Sequence, residues 1–216
     1  MSRTFQAIIW DFGGVFTSSP FEAFNRYEET SGLPKDFIRS VNALNPLENA
    51  WAKLERSEVD ADQFDALFRT EARALGQDVP GRDILALLSG SLRPRVVNAL
   101  KVCKEHGKVG CITNNAPIGK GASMTHDEAK AAELSAVFDL FDHLIESSKL
   151  GIRKPDPRIY ALMCETLDVD PGACVYLDDL GINLKPARDM GMATIKVTGE
   201  DQLLADLEAV TGYALG

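Results

Sequence analysis

The chain has 216 residues, with 23 Lys plus Arg against 32 Asp plus Glu and a formal net charge of −9. At 23.5 kDa, with 45% hydrophobic and 25% charged residues, it suits one soluble globular core, or a core with a modest insertion. There is no basic tract to hold nucleic acid, and no apolar run approaches the roughly 18 residues of a membrane-spanning helix.

The N-terminal MSRTFQAIIWDF reaches Asp11 too soon for a secretory leader. Its apolar run, Ala7–Trp10, is the first predicted strand. No convincing strand follows between Phe16 and about Leu92. That stretch reads as helices: FEAFNRYEET behind Ser19-Pro20, FIRSVNAL, ENAWAKLE, DADQFDALFRTEARALG and RDILALLS. Trp51, Phe64, Leu67 and Phe68 form the expected core of this helical insert. Strands and helices then alternate. The strands are Val109–Thr113, His143–Ile145, Cys174–Leu177 and Ala193–Val197, and the helices are Arg95–Glu105, Ala129–Asp139, Arg158–Leu167 and Leu184–Met190. This order predicts an α/β fold, a three-layer α/β/α Rossmann-like core with a parallel sheet and an inserted all-helical cap. The expected boundaries are residues 1–16 and 93–216 for the core and 17–92 for the cap.

The four cysteines, Cys103, Cys111, Cys164 and Cys174, form no CxxC pair and lie in apolar helix or strand patterns. They are expected to be buried and reduced, which points to the cytoplasm. His106, His126 and His143 are scattered. APIGKGASMTHDEAK carries Gly119-Lys120-Gly121, but no Ser or Thr follows the lysine, so it is not a P-loop. It reads as a mobile loop near the site.

Four segments carry chemistry, each beside a predicted strand terminus, where ligand crevices form in open α/β sheets. Asp11 with Gly13 and Gly14 puts a carboxylate beside a backbone that a ligand can approach, although a strand-end aspartate also serves as a turn or helix cap. Thr113-Asn114-Asn115 offers a hydroxyl, an amide and backbone N–H groups suited to phosphate oxygens, or a polar turn. Lys154 sits between fixed backbone at LGIRKPDPRIY, where a surface lysine is the plainer reading. Asp178-Asp179 places two carboxylates straight after an apolar strand, which is costly without a cation or hydrogen bonds; hard oxygen ligands suit Mg²⁺.

In combination and in this order, these segments resemble the motif set of the haloacid dehalogenase superfamily across essentially the whole chain. WDFGGVFT, LRPRVVNAL, ITNN, IESSKLGIRKPDPRIY and YLDDLGINLKPARDMGM are most similar to the phosphatase branch that includes the N-terminal domain of soluble epoxide hydrolase and related bacterial phosphatases. The resemblance implies a Mg²⁺-dependent phosphomonoester hydrolase acting on a small phosphorylated metabolite, as a monomer or homodimer. Asp11 would be the nucleophile, forming an aspartyl-phosphate. Thr113 and Asn114 would hold the phosphoryl oxygens, and Lys154 would neutralise charge between nucleophile and phosphate. Asp11, the Gly13 carbonyl and Asp179 would surround the metal. Asp178 would position the metal shell and Lys154, with Asn183 in support. The helical insert matches the family's cap, and turn residues from Glu55 to Glu58 would touch substrate.

The chain departs from the phosphatase pattern at Gly13. Related phosphatases usually have a second aspartate there, acting as general acid and then base, and such catalysis is worth about 10²–10⁴-fold. Its backbone carbonyl survives in glycine, but its proton donor does not. A slower enzyme, or one biased toward good leaving groups, is expected. The alternatives are haloacid dehalogenation, which the Asp178-Asp179 pair argues against, and phosphonate hydrolysis, which needs a Schiff-base lysine for which only Lys35 and Lys53 stand in the insert. A non-catalytic phosphate-binding protein is the third.

Overall fold

The computed structural model describes residues 4–88, 90–119, 122, 124–125 and 127–215. Five parallel strands, β1 (Ala7–Trp10), β2 (Lys108–Thr113), β3 (His143–Glu146), β4 (Cys174–Asp178) and β5 (Ala193–Lys196), form one sheet in the order β3-β2-β1-β4-β5. Both faces of the sheet are buried, so the strands read as continuous apolar runs rather than alternating ones. Side chains on successive residues leave opposite faces. Ile8 and Trp10 join Val109, Cys111, Val175 and Leu177 in one cluster, while Ala7 and Ile9 join Ile112, Cys174 and Tyr176 in another.

Helices α6 (Pro94–His106), α7 (Glu128–Phe138) and α11 (Glu200–Thr211) cover the first face through residues such as Leu100, Leu134 and Leu203. Helices α9 (Pro157–Leu167) and α10 (Gly181–Asp189) cover the second through Tyr160, Met163 and Leu184. The expected three-layer α/β/α core is therefore present. Two helices stand outside the predicted set: the single turn α8 (Ser147–Leu150) and α11, which puts Leu203, Leu204 and Leu207 into the core.

Between β1 and α6 lie five helices: α1 (Pro20–Thr30), α2 (Phe37–Ala43), α3 (Ala50–Glu55), α4 (Ala61–Ala74) and α5 (Gly81–Ala86). Their starts are set locally. Ser19 caps α1 ahead of Pro20, Asn49 caps α3, and Asp60 with Gln63 forms a capping box on α4. They enclose a separate apolar cluster including Phe24, Phe37, Phe64 and Phe68. Trp51 packs against it but also lines the cavity described below. The two chain crossings into this helical layer run side by side. Thr17 and Leu92 form an antiparallel bridge, Ser18 N–H donates to Ser91 O at 2.8 Å, and Arg93 N–H donates to Phe16 O at 2.8 Å.

All four cysteines are buried, and none is in a disulfide. Ala116 and Met124, from the loop expected to be mobile, pack into the helical layer's cluster. Lys120, Gly121 and His126 lie outside the described residues. Among the described residues, no helix is long and apolar enough to cross a membrane.

Candidate active site

The strand order reverses at β1, with β2 and β3 on one side and β4 and β5 on the other. The carboxyl ends of strands at such a point leave a crevice. Register brings the functional side chains there: Trp10 pairs with both Cys111 and Leu177, which sets Asp11 beside the ends of β2 and β4. Asp11 N–H donates to Leu177 O at 2.8 Å, so the residue is held as an extension of the strand.

Lys154 is the hub. Its side chain is 1% exposed, with Nζ 2.7 Å from Asp11 Oδ1 and 2.9 Å from Asp178 Oδ2. Burial alone would lower its pKa, but Asp11 and Asp178 outweigh that and hold the ammonium charged. The backbone of Lys154 is clamped by Asn114, whose Oδ1 accepts from Lys154 N–H at 2.8 Å and whose Nδ2 donates to Lys154 O at 3.0 Å. Both ends of the Asn114 amide are thus engaged on the Lys154 backbone. Asn114 and the buried Thr113 both line the cavity described below.

Asp178 is fully enclosed and accepts from four donors. Lys154 Nζ and Tyr176 OH (2.6 Å) reach Oδ2, Leu180 N–H reaches Oδ1 at 2.8 Å, and Asn183 Nδ2 lies 3.1 Å from both oxygens. Four donors nearly exhaust a carboxylate's acceptor capacity. Asn183 is itself anchored, its carbonyl accepting from Tyr160 OH at 2.7 Å. Asp179 is less engaged. Its pKa is pushed up to about 6, first by burial and then by Asp178. Burial and then Asp178 also raise Asp11, against the opposing pull of Lys154.

Oxygens of Asp11, Asp178 and Asp179 lie within 4.8 Å of one another. Three convergent carboxylates with a single lysine among them, two carrying raised pKa values, fit a small divalent cation bound through oxygen. The turn after Asp11 is shaped for this. Gly14 has φ +75°, and a Cβ there would lie 2.2 Å from Asp179 Oδ2, so only glycine lets this backbone approach the carboxylate. A Cβ at Gly13 would meet nothing within 4 Å. Arg93 braces the same turn, with Nη1 donating to Gly14 O at 2.7 Å and Val15 O at 3.1 Å.

A cavity of about 480 Å³ opens over this edge, bounded by Asp11, Thr113, Lys154 and Asp179 on one side and by the helical layer on the other. From the turn of residues 55 to 58, only Glu55 reaches the cavity wall. It pairs with Arg153 at 2.5 Å, Ser57 Oγ donates to Ser148 O at 2.6 Å, and Glu58 pairs with Arg56 instead. Burial raises the pKa of Glu55 even against Arg153. Lys35 and Lys53, the insert lysines that a Schiff-base route would need, do not line the cavity. His106 stacks on Tyr213 with ring centroids 4.2 Å apart, and neither it nor His143 lines the cavity.

Tyr176, Tyr160, Arg93 and Arg153 were absent from the sequence-derived set. Tyr176 was readable in principle: two residues before Asp178 on one strand, it shares that residue's face. Arg93 and Arg153 make contacts 79 and 98 positions away in sequence, which no local pattern announces.

The chain is 35% identical over 214 residues to bifunctional epoxide hydrolase 2 of Mus musculus, covering 94% of this chain and 38% of that protein. It thus spans well under half the length of the first curated relatives it matches. It is 27% identical over 220 residues to sesquiterpene phosphatase astK of Aspergillus oryzae, covering 98% of this chain and 100% of the relative. Among solved structures it resembles the HAD family enzyme bt-2542 of Bacteroides thetaiotaomicron, in complex with magnesium and inorganic phosphate, with a TM-score of 0.58 and 19% identity over 91% of this chain and 96% of the other. The family model for haloacid dehalogenase-like hydrolases matches residues 5–191, and the chain belongs to that family of hydrolases.

Proposed function

We propose that this hydrolase is a Mg²⁺-dependent phosphomonoesterase with Asp11 as its nucleophile. The observation that carries the reading is Lys154 Nζ held 2.7 Å from Asp11 beside the Asp178-Asp179 carboxylates. A carboxylate and a phosphate repel each other, and a buried lysine with a cation site beside it supports their approach. In this reading Asp11 Oδ attacks phosphorus and the P–O bond to the leaving oxygen breaks; that oxygen takes its proton from solvent, since Gly13 supplies none, and the phosphoryl group rests on Asp11 until water releases it as inorganic phosphate. Mg²⁺, held by Asp11, Asp179 and the Gly13 carbonyl, would supply charge neutralisation on the phosphoryl oxygens. Lys154 carries the second positive charge, Thr113 contacts the phosphoryl group, and Asp178 with Asn183 and Tyr176 fixes Lys154. Residues 17–92 serve as a cap that closes the site and excludes bulk water. The substrate is a small phosphorylated molecule with a largely apolar body, which suits the aromatic and aliphatic cavity wall and the name of the sesquiterpene phosphatase relative.

The test is phosphate release from p-nitrophenyl phosphate and a panel of phosphomonoesters, with Mg²⁺ and with EDTA, for the native protein and Asp11→Asn. Release that needs both Mg²⁺ and Asp11 supports the reading. Metal-independent halide release from 2-haloacids, without phosphate release, would replace it with dehalogenation.

A further inference from the structure

The cavity over Asp11 exceeds what a phosphate group needs. At about 480 Å³ it suits a ligand of drug-like size. Beyond the sheet edge its wall is mostly apolar, with Phe21 and Phe24 from α1, Trp51 from α3, and Met124 and Leu134. A charge in such a wall is costly unless something answers it. Among the described residues, six that line it are charged: Asp11, Arg39, Glu55, Arg153, Lys154 and Asp179. Asp11, Lys154 and Asp179 form the site already described, and Glu55 pairs with Arg153. Arg39 is the sixth, and nothing else among the described residues of this wall answers its charge.

Arg39 lies on α2 with its guanidinium over the Phe21 ring, 4.6 Å from the centroid. Its ion-pair partner, Asp36, takes one Nη and is not part of the cavity wall. Arg39 Nε is enclosed without a hydrogen-bond partner. Asn42 follows three residues later on the same helix face, also lines the cavity, and has an enclosed Oδ1 without a partner. Trp51 Nε1 is in the same condition. Among the described residues, five enclosed side-chain nitrogen or oxygen atoms lack a partner, and three of the five belong to this one wall. Enclosed polar atoms are nearly always paired, so such a concentration marks a place where a ligand completes the bonding. Arg39 and Asn42 both have the rotatable bonds to turn toward it, and either end of the Asn42 amide can serve.

We propose that the Arg39–Asn42 face of α2 is a second binding subsite, which takes an anionic oxygen group such as a carboxylate at the end of the substrate away from its phosphate. This rests on the phosphatase reading, which puts the phosphate at Asp11. A guanidinium matches a planar oxyanion in shape and charge. On a protein of net charge −9, attraction for a second anionic group has to be local, and Arg39 supplies it. The ligand class is therefore an amphipathic phosphomonoester: phosphate at the sheet edge, apolar middle along the aromatic wall, acidic terminus at α2.

Alkyl phosphates of one chain length ending in carboxylate, hydroxyl or methyl test this. The native protein should show a KM about tenfold or more lower for the carboxylate than for the methyl compound. Arg39→Leu should bring the two values together, with the change on KM rather than kcat, and Arg39→Lys should keep part of the preference. The same series is titrated by calorimetry into Asp11→Asn with Mg²⁺, where turnover is not required. Equal values for carboxylate and methyl in the native protein, or a preference that survives Arg39→Leu, overturns the subsite; hydroxyl matching carboxylate overturns its anionic character. Phosphate release without the preference sinks the subsite alone. A binding preference without phosphate release from any compound sinks the phosphatase reading and leaves the subsite standing.

Discussion

Lys154 and Asp11 form an enclosed ion pair, 2.7 Å between Nζ and Oδ1, with Asp178 on the other side of the ammonium. Removing one member of a buried charge group leaves the others uncompensated, at a cost of about 3–5 kcal/mol. Lys154→Met should therefore do two things. Phosphate release should fall by at least about 10²–10³-fold, the scale of losing one electrostatic contact to a transition state. The metal-free protein should also lose stability in urea denaturation, with Mg²⁺ restoring part of it. Unaltered stability would mean that the Lys154–Asp11 pair is not ionic in the folded protein.

Gly13 has open space where a side chain would begin. Gly13→Asp should fold without strain and place a carboxyl group beside Asp11. If proton donation is what the native chain lacks, the substitution should raise the rate on alkyl phosphates, up to about 10²-fold, the lower bound of general acid catalysis. Hydrolysis of p-nitrophenyl phosphate, whose leaving group needs little protonation, should change far less. Equal change for both substrates would assign proton transfer in the native enzyme to another group.

Asp11, Thr113, Asp178 and Asp179 were legible as polar residues at or just past the ends of apolar strands, which converge in a parallel sheet. Lys154, beyond α8, was legible from its proline-flanked turn, and Asn183, on α10, only through the family resemblance. Their division of labour was less legible. Asn114 carries an amide that suits phosphate in any sequence reading, yet the structure uses both of its ends on the Lys154 backbone. Arg93 and Glu55 act through contacts made only after the helical layer returns to the sheet, so their roles depend on tertiary placement. The α11 helix escaped because Leu203, Leu204 and Leu207 are interleaved with acidic residues, and the segment carries no chemistry to draw notice.

At Gly14 the constraint is geometric. An alanine Cβ would overlap the Asp179 carboxylate in a left-handed backbone conformation. Gly14→Ala should displace Asp179 and weaken Mg²⁺ binding, measured by calorimetry, with a stability loss of about 1–3 kcal/mol from the strained backbone. Metal affinity equal to that of the native protein would show that Asp179 is not a ligand.

The carboxylate cluster also sets a pH dependence. Asp11 and Asp179 both titrate above the ordinary aspartate range in the folded, metal-free chain, Asp179 at about 6. The folded state therefore binds more protons than the unfolded one, so metal-free stability falls as pH rises from about 4 through about 6. Mg²⁺ favours the ionised carboxylates and opposes that fall. At one hundred times its dissociation constant a ligand adds about 2.7 kcal/mol, or about 5–10 °C in melting temperature for a chain of this size. The Mg²⁺-induced rise should be larger at pH 7.5 than at pH 5, because protons compete for the same oxygens at the lower pH, and Asp179→Asn should abolish most of it. A rise equal at both pH values, or one that survives Asp179→Asn, would place the metal elsewhere on the acidic surface.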